Sequence, residues 1–242
     1  MSLEFLDVQA AEKTERFSPA ARSPMERQAG AAGARFEERD GWKVAVAYAS
    51  PEKEAETLTR AVGWADCSHL AKLELQADPE TLQAVFSENT GAPFELGFGQ
   101  RASAAWWCPV APTRLLVVCE PSRLAPVHGA LREASGSLVD VTTAFAALTL
   151  GGPAVRETFA RFCALDLRPK AAPVGAVRPG SVARQPGVVI CEGDDRFLML
   201  FGWAVGEYMW LQIQEAARQL EGAPVGLDAL APLDASLQEV GL

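Results

Sequence analysis

The chain has only two histidines, and none of its five cysteines (Cys67, Cys108, Cys119, Cys163, Cys191) forms a Cys-x-x-Cys pair. Zinc sites need clustered thiolate and imidazole ligands, so a structural metal is not expected. The cysteine count is odd. Cys108, Cys119 and Cys191 lie on apolar strand-like runs and Cys163 ends an amphipathic helix, so we expect buried, reduced thiols in a cytoplasmic protein. No apolar run approaches the roughly 18 residues that span a bilayer, and residues 1–22 lack the apolar segment of a signal peptide. Net charge is −9 with no Lys/Arg cluster, which argues against nucleic acid as a partner. Gly97-x-Gly99 lacks the strand-to-helix setting of a dinucleotide fingerprint, and no Walker loop exists. Asp66-Cys67-Ser68-His69 contains triad residue types. Nucleophilic triads, however, assemble from separate elements and not from neighbours on one turn. The role expected for Asp66, Ser68 and His69 is hydrogen bonding within the loop that enters the first sheet.

With 242 residues, 49% hydrophobic and 22% charged, the chain has the balance of a globular protein with ample core. Its pattern of elements occurs twice. From Leu73 to Ala134 the sequence reads as strand, Asp78-Pro79 turn, helix, two strands around a turn, and helix. From Ala147 to Leu220 it reads as strand, Gly152-Pro153 turn, helix, two strands, and helix. The offset is longer than solenoid periods, so the expectation is a duplicated α+β domain, with ferredoxin-like-type units of antiparallel sheet and helices. A cleft between such halves is a usual place for a ligand. The partition expected is an N-terminal arm (1–21), a lead-in region (22–71), a first unit (72–137), a second unit (138–226) and a C-terminal tail (227–242).

In the lead-in region Lys43–Tyr48 reads as a strand and Pro51–Val62 as a helix. That helix is capped by Ser50, started by Pro51 and favoured by Glu52 and Glu54 near its N-terminus. Lys170–Gly180 reads as a loop, long enough to suggest binding or interface work. Trp106 and Trp107 are neighbours on one strand and point to opposite faces. One is expected in the core, the other toward solvent, the cleft or a partner. Trp203, Tyr208 and Trp210 lie on or beside a helix with a broad aromatic face, and with Trp106 they are the interface candidates.

Ala61-Val-Gly-Trp-Ala-Asp-Cys-Ser-His-Leu-Ala-Lys72 resembles the hydrophobic-Gly-x-x-Asp-x-Ser-His-x-x-Lys segment of the glycine cleavage T-protein (aminomethyltransferase) superfamily. Arg22-Ser-Pro-Met-Glu-Arg27, Gly33-Ala-Arg-Phe36, Gly41-Trp42 and Tyr48 agree in order and spacing. From Leu73 onward the chain is more similar to the gamma subunit of heterotetrameric sarcosine oxidase. Leu150-Gly-Gly-Pro153, Phe162-Cys-Ala-Leu-Asp-Leu-Arg-Pro-Lys170 and Pro173-Val-Gly175 carry that likeness, with Ser181–Arg184, Asp195–Phe197 and Tyr208–Trp210. The resemblance implies two intertwined α+β units around a folate channel, without the C-terminal β-barrel of full-length aminomethyltransferases.

It also implies what to look for in the channel. The transferases place one carboxylate after a Gly-rich hairpin. The corresponding stretch here, Gly97 to Trp107, contains no Asp or Glu. A second transferase carboxylate lies in Gly-Tyr-Thr-Gly-Glu. The matching region, Arg184 to Gly193, keeps Glu192 in a different context. Without such an acid the pterin's buried donors would go unsatisfied, at about 1–3 kcal/mol each. The resemblance therefore implies a non-catalytic subunit of a hetero-oligomeric oxidoreductase acting on methylated amines, partnered by the other subunits of that complex. No catalytic residue is assigned. Trp107, Arg184 and Glu192 are the channel residues that would meet tetrahydrofolate. The alternative is a stand-alone tetrahydrofolate-binding aminomethyltransferase that uses another acid, Glu74, Glu95 or Glu192.

Overall fold

The structure is a computed structural model that describes residues 20–230. The arm before residue 20 and the tail beyond residue 230 lie outside the described residues. The elements in chain order are β1 (Ala21–Arg22), α1 (Glu26–Ala31), β2 (Arg35–Arg39), β3 (Trp42–Ala47), α2 (Pro51–Arg60), β4 (Gly63–Asp66), β5 (Ala71–Gln76) and α3 (Pro79–Thr90). There follow β6 (Gln100–Ala102), β7 (Ala105–Ala111), β8 (Arg114–Cys119), α4 (Leu124–Arg132), β9 (Ser137–Asp140), β10 (Phe145–Gly151) and α5 (Val155–Ala160). The chain continues with β11 (Val177–Val182), β12 (Gln185–Gly193), β13 (Arg196–Gly202), α6 (Gly206–Ala217) and β14 (Ala223–Pro224).

The fold is mixed α+β. One sheet has the order β6-β7-β8-β5-β9 and a second β11-β12-β13-β10-β4-β14, while β1, β3 and β2 form a small third sheet. Pairing is antiparallel except for β1 with β3 and β14 with β4. The sheets stack because their strands are apolar on both faces. On β8, Leu115 and Val117 pack toward α3 and α4, while Leu116 and Val118 pack toward the second sheet. On β13, Phe197, Met199 and Phe201 pack toward α5 and α6, while Leu198 and Leu200 face the first sheet. This period-two alternation gives four layers: helices, sheet, sheet, helices. Each of Leu198 and Leu200, about 1% exposed or less, stabilises the stack by about 2 kcal/mol.

Two departures from the sequence reading concern strand ends. Val177–Val182, inside and beyond the expected Lys170–Gly180 loop, is an edge strand that pairs with β12 through Pro179 and Gly180. Its Arg-Pro-Gly-Ser composition is poor in strand formers, and edge position is what makes the proline tolerable. Gly63–Asp66, where a turn at Gly63 and a loop at Asp66 entering the first sheet were expected, is a strand of the second sheet between β10 and β14. Helices α5 and α6 are also shorter than the helices the sequence suggests over Ala154–Phe162 and Ala204–Leu220, and α6 is flanked by 3₁₀ turns at Trp203–Val205 and Arg218–Leu220.

The chain therefore passes between the sheets twice, from β4 to β5 and from β9 to β10. Lys72, 0% exposed, ties the two passages together. Its Nζ donates to Ser68 O and Leu70 O, both at 2.8 Å, and to Thr142 O at 3.4 Å. Its backbone N–H donates to Thr142 Oγ1 at 3.0 Å, and Cys67 N donates to Ala147 O at 2.9 Å.

Glu54 is a second buried tie. Ser50 caps α2 as expected, but Glu54 is 3% exposed and does more than favour the helix dipole. Its carboxylate accepts from Tyr48 N at 2.5 Å, Ala49 N at 2.8 Å and Gly226 N at 2.9 Å, fastening the residues after β14 to the start of α2. Glu54→Ala would leave three backbone donors without an acceptor. We expect a loss of about 3 kcal/mol in urea unfolding, while Glu56→Ala on the exposed side of the same helix should cost less than about 0.5 kcal/mol.

Candidate functional site

The side chains that fill the space between the two sheets leave a cavity at each end. The first cavity, about 270 Å³, is bounded by the β4–β5 passage (Cys67, His69), Arg101 and Trp106 of the β6–β7 hairpin, Thr149 of β10, and the β12–β13 turn. The second, about 500 Å³, lies beside the β11–β12 hairpin and is mostly apolar, with Leu116, Phe145, Val188 and Leu200 in its wall. Each cavity carries one arginine that opens the second strand of a hairpin and one acid that pairs with it. Arg196 and Glu192 are the pair in the first, Arg114 and Glu74 in the second.

In the first cavity Glu192 sits at a β-bulge, where the register of β12 shifts between Cys191 and Gly193. Such a bulge re-aims a side chain relative to the strand's alternation. Glu192 Oε1 accepts from Trp106 Nε1 at 2.9 Å and Oε2 from Arg196 Nε at 3.0 Å, with side-chain exposures of 8% and 11% for the two charged residues. Both carboxylate oxygens are thus engaged by the protein itself. Thr149 Oγ1 accepts from Cys67 Sγ at 3.4 Å. Burial pushes the Cys67 thiol up to about 12, so in the closed fold it stays protonated at neutral pH.

His69 Nε2 lies 3.8 Å from Glu120 Oε2. Burial, with Lys72 and Arg39 nearby, pushes the imidazole down to about 3, so the ring is neutral and the contact is not an ion pair. Asp66 is buried beside it. Desolvation raises its pKa, against hydrogen bonds from Ser23 and Ser68. The Asp66 carboxylate accepts from Ser68 N at 3.0 Å, and Ser68 Oγ accepts from Ala147 N at 3.2 Å. Asp66 and Ser68 brace the passage between sheets, as their sequence position suggested, whereas the buried Nδ1 of His69 has no hydrogen-bond partner among the described residues.

In the second cavity burial opposes ionisation of Glu74. Hydrogen bonds from Arg114 and from Gln76 Nε2 (2.7 Å) outweigh it and hold the carboxyl below its usual range.

The three residues nominated from sequence for a folate channel do not converge. Glu192 lines the first cavity and Arg184 the second, while Trp107 lines neither. Trp107 is 2% exposed and packs on the helix side of its sheet, with Leu73, Leu75 and Phe86 in the same cluster. It is the neighbouring Trp106 that faces the second sheet. Two of the interface nominations need correction: Trp106 is 8% exposed and Trp210 1%, so neither presents a free surface. Trp210 packs against Trp64 (5.9 Å between ring centroids) and Tyr48 (6.3 Å). Trp203 and Tyr208 are half-buried. Trp203 packs on Trp42, and Tyr208 Oη donates to Ala183 O at 3.0 Å. Of the alternative acids, Glu95 is exposed on a loop and the other two are paired within the chain. Arg196 is the site residue sequence reasoning missed. Its signals were its place within the Asp195–Phe197 stretch of the resemblance and its spacing, four residues after Glu192 across a tight turn.

Among the described residues no cluster of His, Cys, Asp and Glu could hold a metal ion, and no helix is long and apolar enough to cross a membrane. The cysteines are free, and all but Cys163 are buried.

The profile of the sarcosine oxidase, gamma subunit family matches residues 90–219, more than half of the chain. Among solved structures, a chain of the heterotetrameric sarcosine oxidase from Corynebacterium sp. U-96 is similar in fold. Its TM-score is 0.63 at 23% identity, and the match covers 84% of this chain and 98% of that one. The aminomethyltransferase T of the glycine cleavage system from Bartonella henselae is also similar, with a TM-score of 0.70 at 15% identity, over 86% of this chain and 60% of that one. No curated protein matches in sequence.

Two measurements follow from this geometry. Glu192→Ala leaves the Arg196 guanidinium buried beside an emptied acceptor and should cost about 3 kcal/mol in chemical unfolding, against about 1 kcal/mol for Trp106→Phe. For His69 the folded pKa lies below the unfolded one, so the unfolded chain takes up the proton first. Its contribution to stability is complete above about pH 6.5 and is lost as pH falls toward about 3. His69→Gln should therefore show a shallower fall of the urea midpoint between neutral and acid pH than the wild type.

Proposed function

The chain belongs to the sarcosine oxidase, gamma subunit family, and from that premise we propose that it is a non-catalytic, gamma-like subunit of a hetero-oligomeric oxidoreductase acting on methylated amines. The family match over residues 90–219 carries the reading. The state of the inter-sheet space supports it. The acid nearest to a transferase-type carboxylate, Glu192, already has one buried partner on each oxygen, Trp106 and Arg196, so a ligand's amino groups would have to compete with them. A cavity of about 270 Å³ beside it is also short of the size usual for drug-sized ligands. Tetrahydrofolate would have to displace a buried ion pair to be recognised there, at a cost of several kcal/mol.

In this reading the scaffold is a duplicated pair of ferredoxin-like units, residues 72–137 and 138–226, preceded by the lead-in region 22–71. The matching orders β6-β7-β8-β5 and β11-β12-β13-β10 support the duplication. So does the way β9 and β4 fill the next position in each sheet. The units are intertwined, since β4 comes from the lead-in region. Partners are the other subunits of an amine-oxidising complex. The half-buried Trp203 and Tyr208, with Leu211 47% exposed on α6, are the side chains we assign to partner contact. The free cysteines suit a cytoplasmic setting.

Native co-purification tests the reading. Expressed with the flavoprotein subunits of such an oxidase, the tagged chain should elute in one complex with them, and Trp203→Ala should weaken that association. Elution as a lone monomer in their presence would overturn the assignment. Titration calorimetry of the full chain with tetrahydrofolate should give no saturable heat, and saturable binding would favour a folate protein instead.

A further inference from the structure

One side of the cavity beside Glu192 is closed by a single segment, the residues that follow β14. The two ends of this segment are held in different ways. At its start, β14 pairs with β4, Val225 N donates to Trp64 O at 2.9 Å, and Gly226 N donates to Glu54 Oε2 at 2.9 Å. Gly226 lies so close to β3 that a Cβ there would sit 1.9 Å from Val46 O, so this point is pinned by both hydrogen bonds and packing. Beyond it the chain turns helically, and Leu227 and Leu230 face the cavity. Leu230, 3% exposed, is an apolar seal between the sheets. On the outside, Asp228 reaches Arg39 at 2.8 Å and Arg35 at 3.6 Å, all with side chains 40–57% exposed. Exposed ion pairs of this kind are individually weak and are screened by salt, unlike the buried bonds at the pin.

We propose that residues 226–230 form a hinged strap that opens the inter-sheet cavity to small solutes. It turns about the Glu54–Gly226 pin and is released at the clasp between Asp228 and Arg39. The strap is independent of the assembly role and would serve whichever small molecule enters the polar end of the cleft.

The cavity carries its own reporter. Cys67 lines it and packs in the inter-sheet cluster, whereas Cys108 is 0% exposed and lines neither cavity, so Cys108 records only wider unfolding. The full chain is treated with iodoacetamide, a small neutral alkylating agent, and modification at each cysteine is followed by peptide mass spectrometry. Asp228→Asn should raise the rate at Cys67 by about threefold relative to Cys108. High salt should do the same to the wild type and add little to the variant. Leu230→Ala, which removes the seal, should raise it by about tenfold or more. Asp228→Asn is a surface change and carries the test should Leu230→Ala fail to fold. An unchanged rate at Cys67 in Asp228→Asn, or a parallel rise at Cys108, would overturn the proposal.

Discussion

The architecture depends on one buried ammonium group. Two sheets that exchange neighbouring strands require the chain to pass between them twice, and each passage brings backbone carbonyls into an apolar interior. Lys72 Nζ meets carbonyls from both passages, Ser68 and Leu70 on one side and Thr142 on the other. Unpaired, these acceptors would oppose burial, so the lysine makes the crossing compatible with a dry core. The arrangement has an electrostatic cost: burial pushes the lysine down to about 8, with Asp66 acting against the shift. The same cation helps hold His69 neutral, so the fixed charge at the crossing also sets the chemistry of the adjacent cavity wall.

The inter-sheet space lies in a fold similar to that of an aminomethyltransferase, and its buried carboxylate, Glu192, is paired within the chain. Catalysis there would need a carboxylate free to meet developing positive charge. Here Glu192 is aimed into the space by a bulge, but Arg196 and Trp106 satisfy both of its oxygens. The second cavity has a similar Arg–acid pair, Arg114 with Glu74. The middle of the space is filled by Leu116, Leu198 and their neighbours. What remains open in it lies at its two ends, the polar one beside the segment held by Glu54 and Asp228.

The sequence carried the local information. Period-two apolar runs, the cap signal at Ser50 and the Asp78-Pro79 turn placed most strands and the starts of α2 and α3 within a few residues, because these features act over one or two turns of chain. Order and spacing of short motifs carried the family, with Leu150–Pro153 and Phe162–Lys170 inside the matched residues 90–219. What composition could not reveal was strand membership decided at long range. Val177–Val182 looks like loop until an edge partner supplies its hydrogen bonds, and Gly63–Asp66 looks like a turn until β10 and β14 flank it.

The candidate site was legible only in part, for the same reason. Sequence alternation shows that Trp106 and Trp107 face opposite ways, but only the stacking of sheets decides that Trp106 meets Glu192 while Trp107 meets the helices. Glu54 reads as a helix-end acid until Gly226, far along the chain, donates to it. Sequence alone determined the periodicities, the caps and the motif set, because those depend on near neighbours. Tertiary structure decided which charges are neutralised, which aromatics are buried and where cavities remain, because those depend on groups brought together from distant positions.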